Sequence, residues 1–186
     1  SDNTSGASNT TVGAGSLQSI TDGNNCSAIG KDSLKLNTAS DNSALGFAAL
    51  EANTSGTSNT AVGKSALLSN QTSNYLTAVG KDALRSNTAG DNTAVGDRSL
   101  YTNTTGSQNV AVGGLALYTN NASGNSAFGY SCMQYTTTGG ANCGFGYQTL
   151  TSNTTGQNNS AYGKSALQTN TTGSDNVAIG RDSLVL

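Results

Sequence analysis

An all-β fold, a parallel β-solenoid or β-roll of eleven coils, is predicted for this chain by its repeat, its alternation and its punctuation. A block such as Asn59-Thr60-Ala61-Val62-Gly63-Lys64-Ser65-Ala66-Leu67 recurs from end to end. The glycines that close it are Gly13, Gly30, Gly46, Gly63, Gly80, Gly96, Gly113, Gly129, Gly146, Gly163 and Gly180, at steps of 16 or 17 residues. A period this short marks units that pack only on their neighbours, so that the stack itself makes the core. Before each glycine, threonine, alanine and a large apolar residue alternate, which suits a short strand. Asparagine, threonine and glycine punctuate the rest.

Each element follows from its place in the block. The residue before the glycine is always large and apolar, from Val12 and Ile29 to Tyr162 and Ile179, and is expected to face the core. Alanine precedes it in nine copies, with Thr11 and Gly144 as exceptions, and is then expected on the opposite face. Alanine on a solvated face would be best explained by close approach of another chain. The glycine supplies a turn, because positive φ costs it nothing. Four residues later stands leucine, or Met133 in one copy, expected inward on a second short strand. The rival is a helix over Lys64-Ser65-Ala66-Leu67-Leu68, but it would be under two turns long and is followed by residues that stop it.

Asparagine holds the place four before the glycine in nine copies, and a second polar pair such as Asn37-Thr38 or Asn153-Thr154 begins seven after it. Stacked coils turn such positions into ladders whose amides bond to their copies above and below. At about 4.8 Å per strand, the rod would be on the order of 50 Å long.

Composition narrows the function. The net charge is −2 with 10% charged residues, so there is no basic face for nucleic-acid phosphates or anionic lipid, and no apolar run long enough to insert into a membrane. No signal segment opens the chain, which therefore reads as a mature or excised piece. No linker divides it, so residues 1–186 read as one repeat domain. Histidine is absent, which removes the commonest general base and metal ligand. No pair stands out among carboxylates such as Asp22, Asp41, Glu51, Asp91 and Asp175, so neither an enzyme nor a cofactor is expected. Lys31-Asp32, Lys81-Asp82 and Arg181-Asp182 read as charges on solvated turns. Cys26, Cys132 and Cys143 sit in slots that other copies fill with small or polar residues and read as tolerated substitutions, with a Cys132–Cys143 bridge left open.

The residues Asn176-Val177-Ala178-Ile179-Gly180 and Asn109-Val110-Ala111-Val112-Gly113 resemble the repeat of trimeric autotransporter adhesin heads, which form left-handed parallel β-rolls in threes. The longer unit from Asn92-Thr93-Ala94-Val95-Gly96 through Leu100 to Asn103-Thr104-Thr105-Gly106 is similar to repeats of bacteriophage and viral tail-fibre proteins. The resemblance spans the chain but is a repeat pattern and not a site motif. It implies a rod at a virion or cell surface, outside the cell, assembled as a parallel homotrimer. The unit of 16 to 17 residues is longer than an autotransporter coil.

Eight of the ten aromatic residues fall between Tyr101 and Tyr162. Phe128, Phe145 and Tyr162 occupy the slot expected inside. Tyr118, Tyr130, Tyr135 and Tyr147 occupy polar or mixed slots and are candidate binding residues for a host-surface glycan or protein receptor. The eighth coil, Cys132-Met133-Gln134-Tyr135-Thr136-Thr137-Thr138-Gly139-Gly140, loses the usual asparagine and is the place to look for binding. Sequons such as Asn53-Thr54-Ser55 and Asn153-Thr154-Thr155 matter only in a glycosylating secretory route.

The function that these observations favour is a structural fibre or adhesin segment. The alternative is an ice-binding β-solenoid, because Thr10, Thr60, Thr77 and Thr93 share one column, although Ser27, Ser43, Val110, Ser126, Cys143 and Val177 interrupt it.

Overall fold

A computed structural model describes residues 5–185 of the chain. Among these, every coil contributes one three-residue strand: β1 (Thr10–Val12), β2 (Ser27–Ile29), β3 (Ser43–Leu45), β4 (Thr60–Val62), β5 (Thr77–Val79), β6 (Thr93–Val95), β7 (Val110–Val112), β8 (Ser126–Phe128), β9 (Cys143–Phe145), β10 (Ser160–Tyr162) and β11 (Val177–Ile179). They form one parallel sheet in sequence order, and equivalent residues pair throughout, as in Thr60↔Thr77, Ala61↔Ala78 and Val62↔Val79. The predicted β-solenoid is therefore present.

The expected second strand is not. Residues from the glycine to the next asparagine form a chain of turns, in which the glycine and the second and fourth residues after it take positive φ: Gly63 at 129°, Ser65 at 56° and Leu67 at 52° in the fourth coil. No helix forms among the described residues. The leucine column is left-handed in every coil, from Leu17 at 47° to Met133 at 52°. Left-handed backbone costs about 1–2 kcal/mol at each residue with a Cβ. Two gains offset it. The leucine N–H reaches the next coil, as from Leu67 to the Ala83 carbonyl at 3.0 Å, and the side chain is buried in every coil but the last, where Leu184 is 49% exposed.

The orientation of the strand corrects the sequence reading. Ala61, Ala78, Ala94 and Ala111 are completely buried, whereas the large apolar residues beside them face out. Leu45 is 48% exposed and Ile179 74%, against 3% for Ala44 and 2% for Ala178. Because a three-residue strand presents its first and last residues on one face, threonine and valine share the outside. The physical reason is width. With leucine crossing from the turn chain opposite, the interior has room for only a methyl group on the strand side. The alanine column is thus filled by the chain's own leucines and asks for no partner.

Gly144 makes the tight fit visible. A Cβ built there would lie 2.8 Å from Cys132 Sγ and 2.9 Å from Met133 Cε, the side chains that replace alanine and leucine in the coil before it. Larger residues on one side are matched by the loss of a methyl on the other.

Two asparagine ladders complete the interior. Asn42 Oδ1 accepts from the Asn59 N–H at 3.0 Å, and Asn59 Oδ1 from the Leu76 N–H at 3.0 Å, while each amide donates to a turn carbonyl, as Asn42 Nδ2 does to Gly56 O at 2.7 Å. The second column links side chain to side chain: Asn53 Nδ2 donates to Asn37 Oδ1 at 2.6 Å and Asn70 Nδ2 to Asn53 Oδ1 at 3.0 Å. These bonds satisfy backbone that water cannot reach. They also close the two named sequons, since Asn53 and Asn153 are fully buried with their amides engaged.

The glycine column joins strand to turn chain. Gly63 has φ of 129°, and a Cβ on it would lie 2.6 Å from the Gly80 carbonyl oxygen; the same close approach repeats up the rod. Conformation and space each demand glycine there.

Candidate functional site

The surface offers three kinds of material: an uncharged sheet face, charged turns beside it and an aromatic block in coils six to ten. The sheet face carries two outward columns, one of small residues such as Thr60, Thr77 and Ser126, and one of large apolar residues from Val12 to Ile179. The sequence reading missed this face by turning its large residues inward. The signal that would have found it was the alanine column, more uniform and smaller than its neighbours, as a narrow interior requires.

Within the face, Phe128, Phe145 and Tyr162 stack up the rod. Their ring centroids are 4.5 and 5.3 Å apart, and their planes lie within 5° and 8° of parallel. Rings stacked along the rod axis turn their edges to solvent and cover each other's faces, so they form an apolar ridge. None of the three is in the core, contrary to the expectation for that slot: Phe145 and Tyr162 are exposed and Phe128 is half-buried. The Tyr162 hydroxyl lies 3.5 Å from Cys143 Sγ, and that contact pushes the phenol above its ordinary value.

The four candidate tyrosines do not form one site. Tyr130 and Tyr147 follow successive glycines and stack at 5.9 Å, with Lys164 Nζ 5.8 Å from the Tyr147 ring. Tyr118 lies in a different column, stacked at 5.2 Å on Tyr101, whose hydroxyl accepts from Arg85 Nη1 at 2.9 Å. Tyr135 is exposed in a third column. Only Tyr130 and Tyr147 are brought together, and their paired faces leave edges to meet a ligand.

The eighth coil keeps the regular register, with β8 pairing in order to β7 and β9. Three of its irregular residues, Cys132, Met133 and Thr136, are fully buried, and Tyr135 is exposed. Its irregularity is a change of core packing. Thr136 replaces an asparagine, and its Oγ1 has no hydrogen-bond partner.

The cysteines are free thiols. Cys132 points inside and Cys143 outside, which is why they do not bridge. Burial pushes the Cys132 thiol up to about 12, and burial likewise raises Cys26, whose Sγ donates to the Ala39 carbonyl at 3.2 Å. Neither is a reactive nucleophile.

Charges sit on the turns in local pairs, including Lys31–Asp32 at 3.4 Å, Lys35–Asp32 at 3.2 Å and Arg181–Asp182 at 3.0 Å. The Lys35 ammonium, followed by that of Lys31, holds the Asp32 carboxyl below its usual value. Among the described residues no group of three or more cysteine, aspartate or glutamate side chains is placed to hold a metal ion, and no helix is long and apolar enough to cross a membrane. A hollow of about 230 Å³ at the last coil, lined by residues such as Leu167, Asn170, Gly173 and Leu184, is the open mouth of the interior. Comparison with protein-family models, characterised proteins and solved structures finds no match for the chain.

Proposed function

We propose that this chain is a structural rod segment of a fibre or adhesin, displayed outside the cell on a virion or cell surface, which holds a host-attachment surface away from its base. The observation that carries this reading is the unbroken register of eleven strands, with interior asparagines bonded from coil to coil. Such an interior makes each coil the template for the next and resists bending at any single one. A host glycan or protein would meet the exposed tyrosines, of which the Tyr130–Tyr147 pair is the best presented. The assembly is a parallel homotrimer, in line with the resemblance of the repeat. Sedimentation equilibrium is expected to return three times the 18.5 kDa chain mass. A monomer at every concentration would refute the trimer, and compact particles in electron micrographs would refute the rod.

A second reading, ice binding, has one observation in its favour. Thr60, Thr77 and Thr93 share the outward face with Val62, Val79 and Val95 at strand spacing. Ser43 and Val110 bound this run, so the array is three coils long. Thermal hysteresis by the purified protein would favour this reading over the fibre, and its absence would remove it.

A further inference from the structure

We infer that the outward sheet face is the surface through which copies of this chain associate, side by side and parallel. This inference rests on the homo-oligomer reading above and names the interface within it. The two outward columns of β1 to β11 contain no charged residue, although charges line the turns on both sides. The face measures about 48 Å by 10 Å from strand spacing and residue rise, so three copies turned inward around one axis would together bury about 1,400 Å², within the range of specific association.

The occupant follows from period and charge. Side chains on the face repeat at the strand spacing, so a partner can interdigitate along the whole rod only if it carries the same spacing. A second copy does so without further design.

The rims differ in sign. After each glycine lies one rim, predominantly basic, with Lys31, Lys64, Lys81, Lys164 and Arg181 exposed and a single acid, Asp97, in the same slot. Two residues before each strand lies the other, with Asp41, Asp91 and Asp175 exposed. Lys64 and Lys164 meet no carboxylate among the described residues and lie beside the Phe47 and Tyr147 rings. Rotating one copy about an axis parallel to the rod brings a basic rim against an acidic rim. Turning it end over end brings basic against basic. Rotation also sets the levels: Asp41 falls within one coil of Lys31 and Lys64, Asp91 of Lys81, and Asp175 of Lys164 and Arg181, while Asp97, level with Asp91, has its charge met by Arg98 at 3.1 Å. Opposite charges at matched heights select the parallel arrangement, as complementary potentials do at other interfaces.

Cys143 provides the probe, being outward in β9 and half-buried, while Cys26 and Cys132 are enclosed. A short bis-maleimide is expected to link copies through Cys143 in the unmodified protein, because parallel packing brings equal levels together. The variant Val62→Lys/Val112→Lys, with both changes on the solvent side of the sheet, is expected to keep its circular dichroism and lose both cross-link and oligomer. An oligomer that survives both lysines, or that fails to cross-link at Cys143, overturns the parallel face while leaving the homo-oligomer reading intact. A wild-type monomer overturns both.

Discussion

The fourth and eighth coils share one backbone path but not one interior. In the fourth, Ala66 and Leu67 face Ala78 of the next strand, and Asn70 continues the second ladder by donating to Asn53. In the eighth, Cys132 and Met133 occupy the same slots, the facing alanine has become Gly144, and Thr136 stands where the ladder needs an amide. The pairing of β8 with its neighbours is undisturbed. The solenoid therefore conserves the summed volume between strand and turn chain and lets single residues vary within it. What it does not vary is the glycine column, where the neighbour is backbone and cannot give way.

Two glycine-to-alanine changes sharpen that contrast. Gly63→Ala is expected to have the largest effect, because it adds left-handed strain to a collision 2.6 Å from the Gly80 carbonyl oxygen. A loss of more than about 3 kcal/mol, seen as a depressed midpoint in urea, is the expected outcome, and a near-normal midpoint would show that the stack can expand. Gly144→Ala restores the common residue but meets the Cys132 and Met133 side chains, for a cost of about 1–3 kcal/mol. Adding Cys132→Ala and Met133→Leu should recover most of that cost, since together they rebuild the fourth-coil interior. Failure of the rescue would mean that the volumes are not coupled.

Thiol ionisation separates the same two coils. Cys132 is protonated in the fold until about pH 12, whereas an unfolded thiol ionises near 9.0. The unfolded state alone loses its proton between these values, so stability is unaffected below pH 9 and declines as pH rises above it, by up to about 1.4 kcal/mol per unit. Urea unfolding at pH 8 and pH 10 should show that decline, and Cys132→Ala, which copies Ala66, should lessen it. An unchanged slope in the variant would assign the decline to other groups. The smallest effect is expected for Thr136→Asn, which replaces an unbonded hydroxyl with the amide used in the fourth coil. A gain of about 0.5–1.5 kcal/mol in thermal or urea unfolding is expected, and a loss would show that the eighth coil has closed around threonine.

Much of the architecture was legible because identical residues at a fixed period leave a parallel stack as the arrangement that brings every copy onto its own kind. The glycine spacing predicted the strand positions, and the two asparagine columns predicted the ladders. The faces of the strand were not legible. Thr60-Ala61-Val62 alternates equally well with valine inward or outward, and hydrophobicity alone favours the inward choice that the structure rejects. The candidate tyrosines suffered likewise, because a residue's column depends on turns whose conformation composition does not reveal. Tyr118, Tyr130 and Tyr135 therefore separate onto three columns, and Tyr130 pairs with Tyr147.

The sequence by itself determined the repeat, its register and the identity of the stacked ladders, because each of these follows from local spacing applied eleven times. Only the tertiary structure decided which residues the coil encloses. A coil closed by a single three-residue strand and a chain of left-handed turns is too narrow for both valine and leucine. Leucine takes the interior, alanine fills what is left, and the valines are put on the outside, where another copy of the rod can reach them.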